Sequence, residues 1–377
     1  MSEVKVVVTG YNLITPYGLR VFPLWKGLLS KETCIKNLKR FSVKSSKSAN
    51  AACIHGLNYL KGKSLAFQML GQIFTKNNLG IPRDSFLILA TTVGEIEILE
   101  KYVLSGKGNV TEASLVNLLK KAESLARVKA SGIVLSCACA SSSAAIAQAA
   151  ALIRSGKKDS VLVVAVDSVS EFVYSGFSSL MALDKRRAKP FDKYRSGLSL
   201  GEAAGLILLM SEERAKKEGR EIKGEISGWG LSCDANHITG PSRDGSGLSK
   251  AILKALRLAK VSPSDIGCIS AHGTGTVYND SMEIKAFKKI YKKSVPIYSI
   301  KGAIGHTLGA AGLIEAIVAL KVLQEKIIPA TVGLENIDQE AKGFVSLSQR
   351  KLKKNAVMLN NCGFGGINAA LVLRNYD

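Results

Sequence analysis

Hydrophobic and polar positions alternate along this chain in two ways. Short runs rich in Val, Ile and Leu predict buried strands, and the longer stretches between them, amphipathic or rich in small residues, predict helices. The predicted strands are Val4–Thr9, Phe86–Ala90, Ile133–Leu135, Ser160–Val166, Gly205–Met210, Ile266–Ser270, Val295–Tyr298 and Val357–Asn360. The predicted helices are Ser64–Lys76, Glu112–Arg127, Ala140–Arg154, Ser246–Ala259, Asp280–Tyr291 and Gly309–Gln324. Such alternation predicts an α/β protein with mostly parallel, buried sheets.

One supersecondary plan occurs twice. In Ile133–Leu152, a strand meets a polar junction and then a helix of small residues, and Ile297–Val322 repeats this order. The most charged stretch, Ser211–Lys223, lies between the two copies and is a natural boundary. The sequence therefore predicts a duplicated architecture with halves at residues 1–215 and 216–377.

The composition of the chain indicates its expected cellular compartment and the kind of partner it could bind. The 377 residues are 46% hydrophobic, with no N-terminal signal pattern and no apolar run of the ~18–20 residues that a membrane helix needs. The seven cysteines are scattered, so neither a disulfide framework nor paired zinc spacing is predicted, and a reduced cytoplasmic protein is expected. The net charge of +22 indicates either a soluble lysine-rich surface or an acidic partner. No aromatic-interleaved basic pattern favours nucleic acid.

A cysteine stands where the first small-residue helix begins. Free N–H groups and the helix dipole at such a position favour thiolate over thiol, which makes Cys139 a candidate nucleophile. Buried free cysteines are also common and mostly inert, so a purely structural role is the alternative. Cys137 lies only two residues away, and the helix junction alone does not choose between the two thiols.

Two histidines follow predicted strands at glycine-rich junctions. His272 begins a His-Gly-Thr-Gly-Thr run, and His306 follows Gly305. Side chains at strand ends of α/β sheets lie where ligands bind, so a Cys/His/His site is predicted. Metal binding is the rival, but no short ligand spacing or HExxH pattern supports it. The chain also lacks GxxxxGK[ST] and GxSxG, the patterns of a P-loop and a serine-hydrolase elbow.

Four motifs resemble those of the β-ketoacyl-[acyl-carrier-protein] synthases. They are Ala-Cys-Ala-Ser around Cys139, HGTGT at 272–276, SIKGAIGHTLGAAGLIE at 299–315 and NNCGFGGIN at 360–368. The motifs occur in family order and span nearly the whole chain. Only Cys139 matches the nucleophile motif, which leaves Cys137 as buried packing. The set resembles the elongating type I/II synthases, with Cys-His-His, and not the initiating branch with Cys-His-Asn.

This resemblance implies a thiolase-like fold, in which two duplicated βαβαβαββ halves form a five-layer α-β-α-β-α sandwich. It implies decarboxylative Claisen condensation of an acyl chain on Cys139 with malonyl-ACP, in fatty acid or related polyketide or polyene synthesis. Beyond the carrier's phosphopantetheine, no cofactor and no metal are implied. The implied catalytic residues are Cys139, His272, His306, Lys301 and Glu315, with an oxyanion hole at the N–H groups of Cys139 and Phe364. Thr239, Thr274, Thr276, Phe177 and Phe364 are the implied substrate-binding residues.

The implied partners are an acidic acyl carrier protein and a second subunit, as a homodimer or a heterodimer with a related chain. Cys362, Ile367, Ser196 and Ala203 depart from the usual family residues, and 42–135 carries little family signal. A thiolase acting on acyl-CoA through Cys362 is one alternative. A non-elongating partner subunit, similar to a chain-length factor, is another, although such subunits normally lose the cysteine.

Overall fold

The computed structural model describes residues 4–43, 49–60, 62–75, 78–129 and 131–376. Its strands are β1 (Val6–Thr15), β2 (Gly18–Leu19), β3 (Lys36–Asn37), β4 (Asn50–Ala52), β5 (Phe86–Ala90), β6 (Ile133–Leu135), β7 (Ser160–Asp167), β8 (Leu200–Gly201), β9 (Ala203–Ser211), β10 (Gly224–Cys233), β11 (Cys268–Ser270), β12 (Ile297–Tyr298), β13 (Ile327–Ile328), β14 (Arg350–Lys351), β15 (Ala356–Gly363) and β16 (Ile367–Arg374). Its helices are α1 (Val21–Leu29), α2 (Leu65–Thr75), α3 (Ile96–Ser105), α4 (Leu115–Ala126), α5 (Ser141–Arg154), α6 (Glu171–Ser179), α7 (Glu212–Lys217), α8 (Ser246–Ala259), α9 (Val277–Ile290), α10 (Lys301–Ile304) and α11 (Ala311–Glu325).

The strand order repeats between the two halves of the chain. The first half runs β1-β9-β7-β5-β6, and the second runs β10-β16-β15-β11-β12. In both, the first two pairings are antiparallel and the next two are parallel. The halves join where β1 pairs with β10 over two residue pairs. This topology confirms the predicted duplication, with β6–α5 equivalent to β12–α11; the boundary at residue 215 stays a prediction.

Helices α5 and α11 form the middle layer. They contact each other, and each contacts strands of both halves. Their many small residues allow this close approach: a Cβ atom on Gly312 would lie 2.1 Å from the Ser143 Oγ atom. Helices α2 and α4 cover the outer face of the first half-sheet, and α8 and α9 cover that of the second. The expected five-layer sandwich is therefore confirmed.

Strands β10 and β16 were not predicted from the sequence. Glycine usually weakens a strand, and β10 contains three glycines. The structure gives a packing reason for two of them: a Cβ on Gly228 or Gly230 would lie within 2.3 Å of a backbone oxygen of α8. Helices α1, α3 and α6 were also missed. The predicted end, at Lys76, of the helix that corresponds to α2 lies outside the described residues.

In the described chain, no helix is long and apolar enough to cross a bilayer. The apolar helix α11 has 15 residues and buries the carboxylate of Glu315. Its hydrophobic character therefore belongs to the protein core, where it packs between the two half-sheets.

Candidate active site

The turn between β6 and α5 presents Cys139. Ala138 has a left-handed backbone with φ of 48°, a conformation that non-glycine residues rarely adopt. The Ser141 hydroxyl secures the turn: it accepts from the Cys137 N–H at 2.8 Å and donates to the Ala138 carbonyl at 2.6 Å. Cys139 is buried two residues before the first residue of α5, whereas Cys137 is half-buried and does not line the pocket around Cys139.

Both histidines predicted from the sequence meet Cys139 in one pocket of about 450 Å³. The cysteine sulfur and the nearest ring nitrogens of His272 and His306 all lie within 4.8 Å of one another. The two imidazole rings are nearly perpendicular, at 87°, with centroids 5.2 Å apart. A soft metal ion could also bridge atoms at this spacing, so the expectation of a metal-free site stays a prediction.

Burial holds both imidazoles neutral. It lowers the pKa of His272 and of His306 well below 6.5, and the positive charge of Lys301 lowers both further. The side-chain amide of Asn361 lies 3.3 Å from Nδ1 of His272. Because that amide nitrogen donates, Nδ1 accepts and the proton of the neutral ring resides on Nε2. Among the described residues, neither ring nitrogen of His306 has a hydrogen-bond partner.

Behind the histidines lies a buried ion pair between Lys301 and Glu315. The second carboxylate oxygen of Glu315 accepts from the Asn361 amide at 2.7 Å, and Ser143 donates to the amide oxygen. A continuous chain of hydrogen bonds therefore runs from Lys301 to His272. Burial raises the pKa of Glu315, while Lys301 and Asn361 oppose that shift.

Two residues of this network were not predicted as site residues. Asn361 stands inside the motif at 360–368 and directly follows the predicted strand Val357–Asn360. A polar residue at the end of a predicted strand was the sequence feature that could have identified it. Glu283 accepts from the backbone N–H groups of His272 at 2.7 Å and Gly273 at 2.6 Å. It therefore fixes the loop that carries His272, from a position in α9 only 11 residues further along the chain.

The thiol of Cys139 differs from the expectation. Burial raises its pKa to about 11, although Lys301 and the backbone N–H groups of Phe364 and of Cys139 itself oppose the shift. The expected preference for thiolate at neutral pH was therefore wrong, because the cost of burying the charge exceeds the effect of the helix terminus. The backbone N–H groups of Phe364 and Cys139 nevertheless donate to the sulfur and favour its charged form.

The remaining predicted residues surround the same pocket. Thr239, Thr274 and Thr276 line it, and the last two share a hydrogen bond of 3.0 Å. Cys362 also lines it, and burial raises the pKa of its thiol well above 9. Lys301 and Glu315 are not among the lining residues. Their effect on the site is indirect, through Asn361 and through charge.

Phe177 and Phe364 separate the pocket from a second cavity of about 610 Å³. Their rings stack with centroids 5.7 Å apart, and both residues line both cavities. Cys139 lines both as well. The second cavity has largely apolar walls, which include Val93, Phe172 and Leu308. Cys139 therefore lies between the pocket that holds the two histidines and a second, largely apolar cavity.

Comparison with known proteins identifies one family with this fold and this set of site residues. Residues 124–215 match the model of the beta-ketoacyl synthase N-terminal domain, and residues 223–335 match that of the C-terminal domain. The chain is 31% identical to the 3-oxoacyl-[acyl-carrier-protein] synthase 2 of Vibrio cholerae, over 99% of this chain and 100% of that one. It is 30% identical to the protein of the same name from Vibrio harveyi, over 99% of each.

Solved structures agree. The ishigamide ketosynthase/chain length factor superposes with a TM-score of 0.89 at 27% identity, covering 100% of both chains. A beta-ketoacyl synthase from Burkholderia phymatum gives a TM-score of 0.88 at 25% identity, with 99% and 100% covered. These likenesses define a thiolase-like ketosynthase fold, as expected. The chain belongs to the beta-ketoacyl synthase family.

Proposed function

We propose that this protein is a 3-oxoacyl-[acyl-carrier-protein] synthase, an acyltransferase that forms a carbon–carbon bond by decarboxylative condensation. The observation that carries the proposal is the convergence of the Cys139 thiol with two neutral, buried imidazoles in one pocket. A nucleophile that holds an acyl group and two neutral donors for an oxyanion are what this reaction needs.

In the first half-reaction, the Cys139 sulfur attacks the thioester carbonyl of an acyl-carrier protein. The thiol proton leaves to an adjacent base, the carrier thiol departs protonated, and an acyl-cysteine remains. An unpartnered ring nitrogen of His306 is available to accept that proton. The N–H groups of Cys139 and Phe364 stabilise the tetrahedral oxyanion.

In the second half-reaction, a malonyl thioester loses CO2, and the electron pair of the broken bond forms an enolate. Nε2–H of His272 donates to the enolate oxygen, since Asn361 holds the opposite nitrogen as an acceptor. His306 supplies the second donor. The enolate carbon then attacks the acyl-cysteine carbonyl, the new carbon–carbon bond forms, and the Cys139 sulfur leaves as a thiolate that takes up a proton from solvent. Lys301 and Glu315 act as positioning residues through Asn361.

Basic residues beside the pocket support an acidic carrier protein as partner. Arg243, Lys285, Lys288 and Lys289 line a shallow depression, together with Asp244. The Arg243 guanidinium lies over the ring of Tyr278, 5.6 Å from its centroid, and Tyr278 lines the pocket mouth. A carrier bound to this basic rim could extend its phosphopantetheine arm past Thr239, Thr274 and Thr276 to Cys139.

An exposed apolar face supports a second subunit. Strand β6 is the last strand in the order of the first half-sheet, and its Ile133 is exposed. Phe172 and Leu180, which line the apolar cavity beside Cys139, are 59% and 50% exposed. A second copy that paired along β6 would cover this face and complete an acyl-binding cavity. The homodimer, the heterodimer and the cytoplasmic setting stay predictions.

Mass spectrometry of the intact protein tests the proposed function. Wild type is incubated with an acyl-carrier thioester and then with malonyl-carrier protein. We expect one acyl adduct, mapped to Cys139, which disappears on adding malonyl carrier as a 3-oxoacyl carrier forms. Cys139→Ala should show no adduct. Cys137→Ala is the matched control, because it removes a nearby thiol that does not line the pocket, and should acylate normally.

Two outcomes would contradict the proposal. An adduct on Cys362, formed from acyl-CoA without a malonyl requirement, would indicate a thiolase. A complete absence of adduct in a folded wild-type protein would indicate a non-elongating partner subunit.

A further inference from the structure

A second concave basic site lies far from Cys139, at the opposite ends of the strands that carry the catalytic loops. Three segments form it: 262–267 before β11, 290–296 before β12, and 350–354 before β15. These strands are mutually parallel, and the active-site loops with His272, Lys301 and Phe364 follow their carboxyl ends. The concavity therefore lies at the amino ends of the same strands. We call it the amino-end groove.

Positive charge dominates the rim of the amino-end groove. Its cationic lining residues are Lys292, Lys293, Arg350, Lys351, Lys353 and Lys354. No carboxylate lines it, and among residues 131–376 none of these six cations forms an ion pair. Asp265 follows the lining residue Ser264; its carboxylate accepts from the Ser262 N–H and hydroxyl, each at 2.8 Å, and of the six rim cations it is influenced by Lys354. A net excess of positive charge on a concave surface attracts anions.

The floor of the groove is apolar and carries one buried donor. Ile266, Ile290 and Val295 line it, with Pro263 and Pro296 beside them. Tyr291 also lines it, is 4% exposed, and within the described residues its hydroxyl has no hydrogen-bond partner. Burial raises the pKa of this hydroxyl, so it remains a donor without an acceptor. A buried donor of this kind normally meets a partner, which points to a ligand acceptor.

The volume and the lining residues of the amino-end groove indicate which class of ligand it can bind. The groove encloses about 910 Å³, near the upper end of the roughly 300–1,000 Å³ range of small-molecule sites. Lysine ammonium groups bind phosphate as point charges, and several of them suit a chain of phosphates. An apolar floor suits an organic body attached to that chain. Single-stranded nucleic acid instead needs a row of stacking aromatics, and Tyr291 is the only aromatic among the described lining residues.

We propose that the amino-end groove binds an organic polyphosphate, with its phosphates on the lysine rim and its apolar or aromatic body on the floor. Nucleoside triphosphates and coenzyme A share this chemistry. The site is separate from the condensation site, so the proposal does not depend on the proposed function. None of its residues belongs to the pocket around Cys139.

Calorimetric titration of the full chain with ATP, coenzyme A, inorganic tripolyphosphate, adenosine and a DNA oligonucleotide tests the proposal. The groove variant is Lys292→Ser/Lys351→Ser/Lys353→Ser. The matched control is Lys285→Ser/Lys288→Ser/Lys289→Ser, which lowers the net charge equally on another surface. We expect the groove variant to weaken ATP binding about tenfold or more while its melting temperature, measured by scanning calorimetry, stays close to that of wild type, which shows that it folds. The control should bind ATP like wild type.

The arms of this titration separate the sources of affinity. Tighter binding of ATP than of tripolyphosphate or adenosine would support an organic polyphosphate. Comparing ATP with coenzyme A shows which organic group the apolar floor binds more tightly. Tyr291→Phe, which removes only the hydroxyl, should weaken ATP binding about threefold. Equal weakening by the groove and control variants, or no binding of ATP and coenzyme A to wild type, would overturn the site. Equal affinity for tripolyphosphate and ATP would overturn the role of the floor, and tighter binding of a DNA oligonucleotide would overturn the ligand class.

Discussion

The buried ion pair between Lys301 and Glu315 allows stability and catalysis to be separated by mutation. Both residues are 1% exposed, and Glu315 also accepts from the amide of Asn361. In Glu315→Gln, the Lys301 ammonium remains buried without a counter-charge. Breaking such a pair from one side typically costs about 3–5 kcal/mol. Replacing both charges, in Lys301→Met/Glu315→Gln, leaves no uncompensated charge and keeps an acceptor for Asn361.

The expected shift in melting temperature follows from the chain length. Unfolding entropy of about 2.1 cal/mol/K per residue gives about 0.8 kcal/mol/K for 377 residues. A loss of about 4 kcal/mol therefore lowers the melting temperature of Glu315→Gln by about 5 °C. The double variant should recover to within about 1 kcal/mol of wild type. Scanning calorimetry measures both, and recovery distinguishes loss of charge balance from loss of packing.

Activity should not recover with stability. The positive charge of Lys301 lowers the pKa of both His272 and His306, and its pair holds Asn361 against His272. We expect the double variant to condense about a hundredfold more slowly. The acid limb of its rate profile, measured between about pH 5 and 8, should move to higher pH because the imidazoles protonate more readily. A double variant that remains as unstable as Glu315→Gln, or that has the wild-type rate and pH profile, would refute this reasoning.

Three further predictions concern burial and packing. Burial raises the pKa of Glu97 from 4.5 to about 7, so the folded state keeps a proton that the unfolded state releases. The free energy of unfolding should fall by about 3 kcal/mol as pH rises from about 4.5 to about 7. Urea unfolding at several pH values measures this fall, which should be smaller in Glu97→Gln. Gly312→Ala places a Cβ 2.1 Å from the Ser143 oxygen and should cost about 1–3 kcal/mol, whereas Gly71→Ala, with no atom within 4 Å, should stabilise its helix slightly. Alkylation of Cys139, followed by mass spectrometry, should accelerate about tenfold per pH unit up to about pH 11; a plateau near neutral pH would contradict the assigned burial effect.

Local patterns predicted the parts of this fold that depend on neighbours along the chain. The strand before Cys139 and the small-residue helix after it were visible as a run and a junction, and so was their copy around His306. Strand β10 was not predicted, because two of its glycines are required by close contact with the backbone of α8, whereas local propensity disfavours glycine in a strand. The pairing of β1 with β10, which joins the halves, likewise has no local signature.

The site was predictable as a set of residue types, and less so as an arrangement. Cys139, His272 and His306 were expected together and do meet. Asn361 and Glu283, which orient His272 through its ring and its backbone, lie 89 and 11 residues from it in sequence. Their roles depend on tertiary contacts alone, so only the structure reveals the tautomer of His272.

The raised pKa of Cys139 changes how the first chemical step should be understood. A thiol at a helix terminus suggests a resident thiolate, yet burial beside apolar walls makes that anion a minor species. Attack on a thioester then requires a base close to the sulfur, and the unpartnered nitrogens of His306 lie in the same pocket. The same burial keeps His306 neutral, which leaves a ring nitrogen open to a proton, but it also makes that nitrogen a weaker base. Desolvation thus disfavours both the free thiolate and the imidazolium, so proton transfer from Cys139 to His306 should occur together with attack on the thioester, when the oxyanion forms beside the N–H groups of Cys139 and Phe364.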